Sequence, residues 1–393
     1  MIINNVSVID KKDCTGCGVC HDVCSFQAIE FREDEEGFLY PSIDKNRCTN
    51  CGKCLKKCQI NYDEDTSTQK LCYIAYNKND VESEKSTSGG VFPLITKYVL
   101  EKKGYICGAI IRNNDIFHII SNDNNDLQLM QGSKYGQSNL KNIYNEIKDK
   151  LNRNILCLFS GTPCQVNGLK IFLGKEYDNL ICVDIVCHGV PNNKLLKDDL
   201  SHYGTKYNVL SFREKTKNNG TLYRMQLKDT ENNTIKKVYS TDSLYFNAFM
   251  NSVSLRESCY RCKFAKMSRV GDVTLGDSAY SKNYSQLDPS KIVSLVLINN
   301  AKGNKVWKQI SCDINYFEGD FEKEIRENKQ LNRPSLRPNL RDEFYKDYYE
   351  KDYVSVCSKY KKKITSVSKI KRYVKSFIPI KYKLFIKKKL RRK

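Results

Sequence analysis

Cys14-Thr15-Gly16-Cys17-Gly18-Val19-Cys20, followed by Cys24, and Cys48-Thr49-Asn50-Cys51-Gly52-Lys53-Cys54, followed by Cys58, are two copies of one cysteine pattern. Each cysteine of the first copy has a counterpart 34 residues later in the second copy. A fixed offset between matching residues indicates an internal duplication. The duplication places eight thiols within the first sixty residues of the chain, and the rest of the sequence is interpreted outward from it.

The spacing within each copy is typical of a four-iron cluster site. Three cysteines separated by two-residue gaps wrap a short loop around one cluster, and glycines such as Gly16 and Gly52 let the loop bend tightly. We expect the fourth cysteine of each copy to lie on the helix that follows and to bind the other cluster. The predicted ligand sets are Cys14, Cys17, Cys20 and Cys58 for one cluster, and Cys48, Cys51, Cys54 and Cys24 for the other.

Structural zinc is the alternative, but zinc sites usually combine two distant cysteine pairs instead of a compact triplet plus one. The duplicated region resembles the bacterial two-cluster ferredoxin module. It differs from that module at one position of each copy, because Ser25 and Gln59 stand where proline usually follows the fourth cysteine.

The composition points to a reducing compartment. The chain has 393 residues and 18 cysteines, which is too long for a typical disulfide-stapled secreted domain. Residues 1–10 lack the basic start and apolar run of a secretory signal. No stretch of about eighteen apolar residues is present, so the sequence predicts no transmembrane helix. We therefore expect a cytoplasmic protein.

The positive charge is concentrated in a C-terminal tail. Residues 361–393 carry fifteen Lys or Arg and no Asp or Glu, which leaves a net charge of only +6 for the other 360 residues out of the total of +21. Two interpretations of this tail stay open equally: a segment that lies on an anionic membrane surface at the inner face, and a solvated basic tail. Nucleic-acid binding by the tail is a third interpretation and ranks below both. Because the charge belongs to the tail, we expect no nucleic-acid partner for the main body.

The middle of the chain predicts an α/β domain. Leu71–Tyr76 alternates like a strand, Val91–Lys103 has a helical pattern with Pro93 in its first turn, and 105–111 with 116–120 predict a hairpin. Ile155–Phe159 and Leu180–Val186 are apolar strands that are each followed by a helical pattern. Strand–helix alternation of this kind favours parallel strands.

Four further cysteines are candidate metal ligands. Cys164 and Cys187 follow the two apolar strands, so both are expected beyond the carboxyl ends of the strands, where open α/β sheets bind ligands. Cys259 and Cys262 form a pair with a two-residue gap. A third cluster is one interpretation, and a zinc or redox pair beside two unrelated buried thiols is the other. The remaining cysteines lack cluster spacing, and several of them lie within apolar strands and are predicted to be core residues. These cysteines are Cys72, Cys107, Cys157, Cys182, Cys312 and Cys357.

Six short motifs, taken in order, resemble the coenzyme F-420 (deazaflavin) hydrogenase/dehydrogenase beta-subunit family over about residues 1–340. They are Ser86–Gly90, Gly132–Ser138, Ser160–Gln165, Cys187–Pro191, Cys259–Cys262 and Asp272–Asp277. The resemblance implies an iron–sulfur oxidoreductase that contains FAD. It implies that the flavin is contacted by Ser88, Gly89, Gly90, Ser133, Lys134 and Gln137, and that a third [4Fe-4S] cluster is held by Cys164, Cys187, Cys259 and Cys262.

The expected fold is an α+β ferredoxin-like dicluster module followed by an α/β domain with a mixed, partly parallel sheet and a basic tail. The expected boundaries are 1–62 for the module, 70–150 for the flavin-binding part, 151–345 for the part with the third cysteine set, and 350–393 for the tail.

The expected activity is electron passage between the clusters and FAD, with hydride transfer to or from an organic substrate or the deazaflavin coenzyme. The expected partners are ferredoxin or a redox partner subunit and a small-molecule substrate. The alternative is a non-catalytic electron-relay subunit of a larger redox complex. No catalytic residue is identified from the sequence.

Overall fold

The computed structural model describes residues 3–62, 71–204, 206–216, 220–288 and 290–361, together with Tyr382. Residues 63–70, which include the gap between the expected module and the expected flavin-binding part, lie outside the described residues, as does most of the basic tail. The strands are β1 (Ile29–Glu33), β2 (Leu39–Ile43), β3 (Leu71–Asn77), β4 (Tyr105–Arg112), β5 (Asp115–Ser121), β6 (Cys157–Gly161), β7 (Leu180–Ile185), β8 (Tyr207–Ser211), β9 (Glu214–Thr216), β10 (Gly220–Leu222), β11 (Arg224–Asp229), β12 (Ile235–Tyr239), β13 (Val273–Asp277), β14 (Ser294–Ile298) and β15 (Ile314–Glu318).

Helices of one to three turns connect these strands. The α-helices are α1 (Val19–Asp22), α2 (Lys53–Lys56), α3 (Asp80–Lys85), α4 (Phe92–Glu101), α5 (Asn124–Met130), α6 (Ile143–Asn152), α7 (Pro163–Leu173), α8 (Asn193–Ser201), α9 (Leu244–Met250), α10 (Ala301–Ile310), α11 (Phe321–Glu327), α12 (Leu340–Glu350) and α13 (Tyr353–Tyr360). Among the described residues, none of these helices has the length and apolar character required to cross a bilayer.

The N-terminal module is small and packs directly on the rest of the protein. β1 and β2 form an antiparallel hairpin in which Ile29 pairs with Ile43. Val19 and Val23, at the two ends of α1, belong to the same buried cluster as Tyr144 of α6 and Leu169 of α7. Because the module shares its core with the body, its cysteine loops are held at a fixed place on the larger domain.

The larger domain is built on one eight-stranded sheet, in the order β15-β3-β14-β13-β7-β6-β4-β5. The four central strands β4, β6, β7 and β13 run parallel to their neighbours within this group, and the outer pairings are antiparallel. This confirms the expected mixed, partly parallel sheet. The hairpin predicted from residues 105–120 is β4–β5, and the two apolar strands expected near residues 155 and 180 are β6 and β7.

Alternation along the central strands buries both faces of the sheet. Leu158, Ile181 and Val183 point into a core under α4 and α10, whereas Phe159 and Cys182 point into the core under α6 and α7. Neighbouring residues of a strand face opposite sides, so a strand covered on both faces reads as a continuous apolar run. This explains why β6 and β7 were visible in the sequence.

A second, smaller sheet lies beside the first and was not predicted from the sequence. It contains β12-β11-β8, next to the short β9–β10 hairpin. Its apolar side packs with residues of α8, α9 and α12, including Leu196, Phe246 and Phe344. Its strands carry many charged residues, which weakens the period-two signal on which a strand prediction depends.

The isolated cysteines that lie within strands are core residues, as expected. Cys72, Cys107, Cys157 and Cys182 are buried within strands of the large sheet. Cys312 is exposed. It lies in a short 3-10 turn between α10 and β15, where no second layer covers it.

Candidate functional site

Each cysteine loop enters its helix through a glycine in the left-handed region. Gly18 has φ +85° and Gly52 has φ +76°, and they are the N-caps of α1 and α2. Only glycine adopts this backbone without steric cost, so the turn before the helix is fixed by the sequence. The third cysteine of each loop, Cys20 or Cys54, then lies within the single turn of helix.

The fourth cysteines do not lie on these helices, which corrects the expectation. α1 ends at Asp22 and α2 ends at Lys56, so Cys24 and Cys58 follow the helix ends by two residues. The backbone N–H of Cys24 bonds the carbonyl of His21, and that of Cys58 bonds the carbonyl of Leu55. These tight turns end each helix after one turn and carry the fourth thiol away from its own loop.

One cavity brings together thiols from both copies of the repeat. A space of about 110 Å³ is lined by Cys24 of the first copy and by Cys48, Cys51 and Cys54 of the second. This is the crossed grouping that the spacing predicts for one cluster. Cys51 is the exposed member of the set, and its hydrogen bond from the Lys53 N–H lowers the pKa of its thiol. Four thiols around a closed space are a donor set that fits a four-iron cluster.

The other four N-terminal thiols lie close enough to affect one another. Burial raises the pKa of Cys17 to about 12, and the neighbouring thiols of Cys14 and Cys58 add to the rise. Cys20 has its pKa raised by burial and by the same neighbours together with Cys17. A buried set of thiols that disfavours its own ionisation calls for positive charge, which iron would supply.

In the described part of the chain, no three His, Cys, Asp or Glu side chains are grouped tightly enough to hold one metal ion. A four-iron cluster spreads its ligands more widely than a single tetrahedral ion does, because each thiolate binds a different iron.

The third set of cysteines also converges. Cys164 is in the first turn of α7 after β6, Cys187 follows β7, and Cys259 lies in a 3-10 helix (Glu257–Arg261) that Cys262 ends. Burial raises the pKa of the Cys164 thiol, and the neighbouring thiols of Cys262 and Cys187 raise it further. Burial raises the pKa of Cys187 to about 12, and the neighbouring thiol of Cys259 adds to the rise. The structure thus gathers four thiols that lie as much as 98 residues apart in the sequence.

A tyrosine joins the first cysteine loop to the body. The Tyr144 hydroxyl lies 2.7 Å from the Cys17 carbonyl and 2.9 Å from the Gln165 carbonyl, within donating distance of both. Tyr144 is fully buried, and Cys17 and Cys164 both act on its ionisation. The first and third sets of thiols are therefore neighbours on either side of one ring.

A large cavity lies at the carboxyl edge of the parallel strands. Its volume is about 590 Å³, in the range of small-molecule and cofactor sites. Cys164 and Cys187 line one side, and Thr15 and Gly16 of the first cysteine loop line another. The cavity therefore touches both the N-terminal module and the third set of thiols.

The two loops named by the resemblance form further walls of this cavity. Ser88, Gly90, Ser133, Lys134 and Gln137 all line it. The loops meet where the hydroxyls of Thr87 and Ser133 lie 3.2 Å apart.

Gly89 is not part of the wall. Its N–H donates to the Ser294 hydroxyl at 2.9 Å, and a Cβ there would lie 2.6 Å from the Ser294 nitrogen and would also meet the Ala75 carbonyl. Gly89 lets the first loop press against β3 and β14.

Two basic side chains in this wall have unusual ionisation. Lys134 donates to the carbonyls of Leu129 at 2.6 Å and Gln131 at 2.7 Å, and loss of hydration lowers its pKa to about 7. His118 bonds the Ser138 hydroxyl at 2.6 Å and the Ser160 carbonyl at 3.0 Å, and burial lowers its pKa to about 4. At neutral pH, His118 is neutral and Lys134 is close to half protonated.

Two buried donors at the cavity have no partner within the described residues. They are the side-chain amide nitrogen of Gln131 and the Nε of Arg213, and both residues line the cavity. Arg213 otherwise pairs with Asp277 at 2.7 Å. Buried donors without acceptors are costly, so this wall fits a ligand that presents several acceptor atoms.

The local contacts do not support a catalytic pair in which His188 activates the Cys187 thiol as a nucleophile. The two ring nitrogens of His188 lie 3.1 Å from the Ser252 hydroxyl and 3.2 Å from the Gln330 side chain. The Cys187 thiol accepts from the Gly189 N–H at 3.4 Å.

Sequence reasoning missed Arg213, His118, Tyr144 and Arg256 at this site. None belongs to a spaced motif, and their roles depend on contacts across 21 to 242 residues of sequence. The one local signal was Arg256, which precedes the Cys259–Cys262 pair.

Comparisons with known proteins agree with the two parts of the chain. Residues 13–61 match the family model described as "4Fe-4S dicluster domain", and residues 156–320 match the model for the C terminus of the coenzyme F420 hydrogenase/dehydrogenase beta subunit. A search of curated proteins finds no match. Among solved structures, a chain of the F420-reducing [NiFe] hydrogenase complex from Methanosarcina barkeri is similar, at 15% identity and a TM-score of 0.45, over 68% of this chain and 93% of that one.

Proposed function

We propose that this chain, which matches a 4Fe-4S dicluster domain and the C-terminal region of the coenzyme F420 hydrogenase/dehydrogenase beta-subunit family, is an iron–sulfur flavoprotein oxidoreductase. It would pass electrons between its N-terminal clusters and an FAD in the 590 Å³ cavity. The family and dicluster matches support an iron–sulfur redox protein. The flavin, the third cluster and the organic substrate are the proposal.

One observation carries this proposal: the cavity wall is shared. Thr15 and Gly16, which lie between two cysteines of the first loop, line the same space as Cys164, Cys187 and the loops at 86–90 and 132–138. A redox cofactor in that space would be next to both sets of thiols. The clusters carry single electrons, and a flavin converts these to the two-electron chemistry of an organic substrate.

We assign the following proposed roles to the residues of the site. Ser88, Gly90, Ser133 and Gln137 would offer hydroxyl, backbone and amide groups to the flavin, with Gly89 setting the position of the loop. Lys134 would place a titrating positive charge in the wall, and the unpartnered donors of Gln131 and Arg213 would meet acceptor atoms. The N-terminal thiols would form the two crossed sets, and Cys164, Cys187, Cys259 and Cys262 the third.

The proposed division of the chain follows the same logic. Residues 1–62 would hold two clusters, 70–150 would contribute most of the flavin contacts, and 151–345 would hold the third cluster. The substrate, an organic molecule or the deazaflavin coenzyme, would enter the same cavity. A ferredoxin or another redox partner would exchange electrons with the module, in the cytoplasm.

Anaerobic purification with quantification of iron, sulfide and flavin tests the proposal. Three clusters give about twelve iron atoms per chain, and two give about eight. We expect about twelve with one FAD. A protein that holds about eight and takes up no flavin on anaerobic reconstitution would contradict the flavin and third-cluster assignments.

Single substitutions make the test specific. Cys164→Ser and Cys262→Ser are expected to remove about four irons and to leave the N-terminal clusters in place. Cys182→Ser is the matched control, because Cys182 is buried in β7 among apolar side chains and should not change the iron content. Equal iron loss in all three variants would mean that the loss reports damage to the fold.

A further inference from the structure

Arg256 is a fully buried cation at the centre of the site. Its side chain is 0% exposed, and the residue is the N-cap of the 3-10 helix that carries Cys259. The other two most deeply buried arginines each have a carboxylate partner: Arg341 pairs with Glu36 and Glu257, and Arg269 pairs with Asp184. In the described part of the chain, Arg256 forms no ion pair with a carboxylate.

The guanidinium of Arg256 forms its hydrogen bonds with the first cysteine loop and with residues around that loop. Its Nε donates to the Cys14 carbonyl at 2.7 Å, and one terminal nitrogen lies 3.5 Å from the Cys14 sulfur. The other terminal nitrogen donates to the Leu39 carbonyl at 2.9 Å and to the Gln137 side-chain oxygen at 3.0 Å. The Tyr40 ring covers one face, with its centroid 3.9 Å from the guanidinium carbon.

This arrangement leaves one unbalanced charge. Neutral carbonyls, an amide and a ring satisfy the hydrogen bonds, but a buried cation still requires a negative charge nearby. Among the described residues, two ionisable groups contact it, the Cys14 thiol and the Tyr40 phenol, and burial raises the pKa of Tyr40, which keeps that phenol neutral. As a thiolate bound to iron, Cys14 would supply the missing charge, and Arg256 would in turn be next to the cluster.

The duplicated second loop has no such buried cation among the described residues. Its lysine, Lys53, lies beside Cys51 but is exposed to solvent. The residue that corresponds to Cys14 is Cys48, whose sulfur lies 3.9 Å from the neutral side-chain amide of Asn5. The two halves of the repeat are thus alike in their cysteines and different in the charge beside them. Hydrogen bonds to cluster sulfurs and nearby charge are among the factors that set cluster potentials.

We propose that Arg256 is a positioning residue that balances the charge of the Cys14, Cys17, Cys20 and Cys58 cluster and raises its reduction potential. Reduction adds one electron and no bond, so a fixed cation stabilises the reduced form. Through Gln137, the same guanidinium is bonded to the wall of the large cavity. The two N-terminal clusters would therefore differ in reduction potential. The cluster whose loop lines the cavity would be the more easily reduced of the two. The inference rests on the proposed function only in requiring both N-terminal clusters.

A redox titration of the full-length, anaerobically reconstituted protein tests the inference. Dithionite is the reductant, and the two N-terminal clusters are followed by electron paramagnetic resonance, with Cys51→Ser used to recognise the signal of the second cluster. In Arg256→Gln we expect the equilibrium constant for reducing the first cluster to fall at least about tenfold, which is about 59 mV for one electron. The second cluster should not shift.

Two further variants separate charge from structure. Asn5→Ala removes a neutral donor at the matching position of the second loop, and we expect it to shift either cluster by clearly less than tenfold. Arg256→Lys keeps the positive charge but loses the forked hydrogen bonds. It should retain a first-cluster potential within about tenfold of the wild type, even where Arg256→Gln does not load that cluster.

The outcomes are distinct from those of the flavin test. An unchanged first-cluster potential in Arg256→Gln, or a fall of tenfold or more in Arg256→Lys, would overturn the role of the charge. A protein that contains both clusters but no flavin would contradict the proposed flavin site and still allow this titration. A wild-type protein without either N-terminal cluster would end both proposals.

Discussion

At the scale of single residues, the site is defined by basic groups whose hydrogen-bond partners are uncharged. Lys134, His118 and Arg256 are basic side chains in or next to one cavity wall, and each is held by neutral oxygen atoms. His118 is neutral, but Lys134 and Arg256 can carry a positive charge that neutral partners do not cancel. A bound ligand with negative charge would balance it. Such an arrangement is typical of a cofactor site. In a structural core, by contrast, a charged side chain must find its partner within the folded protein itself.

Lys134 gives this view a pH test. Its pKa is lowered to about 7 in the folded protein and is about 10.5 in an unfolded chain, so between these values the unfolded state binds one more proton. The contribution of Lys134 to the free energy of unfolding therefore rises as the pH increases from about 7 to about 10. We expect the melting temperature of the apoprotein, relative to Lys134→Met, to increase over that range.

The effect should be on the order of 1 kcal/mol, since Lys134 is only half-buried. Taking the difference between the two proteins removes the contribution of other titrating groups. A difference in melting temperature that stays flat from pH 7 to pH 10 would show that the lysine is hydrated and not desolvated.

At the scale of elements, the loop at residues 86–90 depends on close packing against the sheet. Gly89 lies where a side chain would meet the Ala75 carbonyl of β3 and the Ser294 nitrogen of β14. We expect Gly89→Ala to destabilise the protein by about 1–3 kcal/mol, because the loop must move away from the sheet. The melting temperature and the flavin content, measured on the same sample, are both expected to fall.

Gly132→Ala in the second loop is the matched control. Gly132 has φ +79°, but an added Cβ there meets only the Thr87 methyl group, at 3.8 Å. Its cost is backbone strain alone, about 1 kcal/mol. A Gly132→Ala variant that is as unstable as Gly89→Ala would mean that packing on the sheet is not what fixes the first loop.

The buried pair of Arg269 and Asp184 supports the third set of thiols. Arg269 lies 3.0 Å from the Asp184 carboxylate and donates to the carbonyl of Ile185, two residues before Cys187. Removing one partner of a buried pair costs about 3–5 kcal/mol. We expect Arg269→Met to lower the melting temperature strongly and to lose the third cluster before the N-terminal pair, as measured by iron content.

Elements also show what the sequence could and could not predict. β6, β7 and α4 were found because both faces of β6 and β7 are apolar and because Pro93 marks a helix start. The crossed grouping at Cys24 followed from spacing alone, since the ligands lie in two short loops. For the third set of thiols, the sequence identified the four cysteines and left their grouping open, because the grouping depends on contacts between distant parts of the chain. The small second sheet and Arg256 were not predicted, since their roles also depend on such contacts.

At the scale of the whole molecule, the N-terminal module is locked to the body by buried polar contacts. Arg341 of α12 is 1% exposed and pairs with Glu36 of the module as well as with Glu257 beside the third set of thiols. We expect Arg341→Met to leave the clusters assembled but to loosen this contact. Electron transfer from reduced clusters to flavin, followed by stopped-flow absorbance, should slow, with the iron content unchanged.

Arg337→Met is the control for that variant. Arg337 also pairs with Glu257, but it is partly exposed, and its ion pairs are with Glu257 and Asp342 instead of Glu36. It should transfer electrons at close to the wild-type rate. Equal slowing in both variants would assign the effect to Glu257 and not to the attachment of the module.

The shared wall of the large cavity has a consequence for biogenesis. Two residues of the first cysteine loop, Thr15 and Gly16, are part of the surface that a nucleotide cofactor would touch. That surface would be complete only after the loop has folded around its iron–sulfur cluster. Maturation would then be ordered, with metal delivery first and vitamin-derived cofactor last. Cells starved of iron would accumulate a colourless precursor instead of a yellow, half-assembled one.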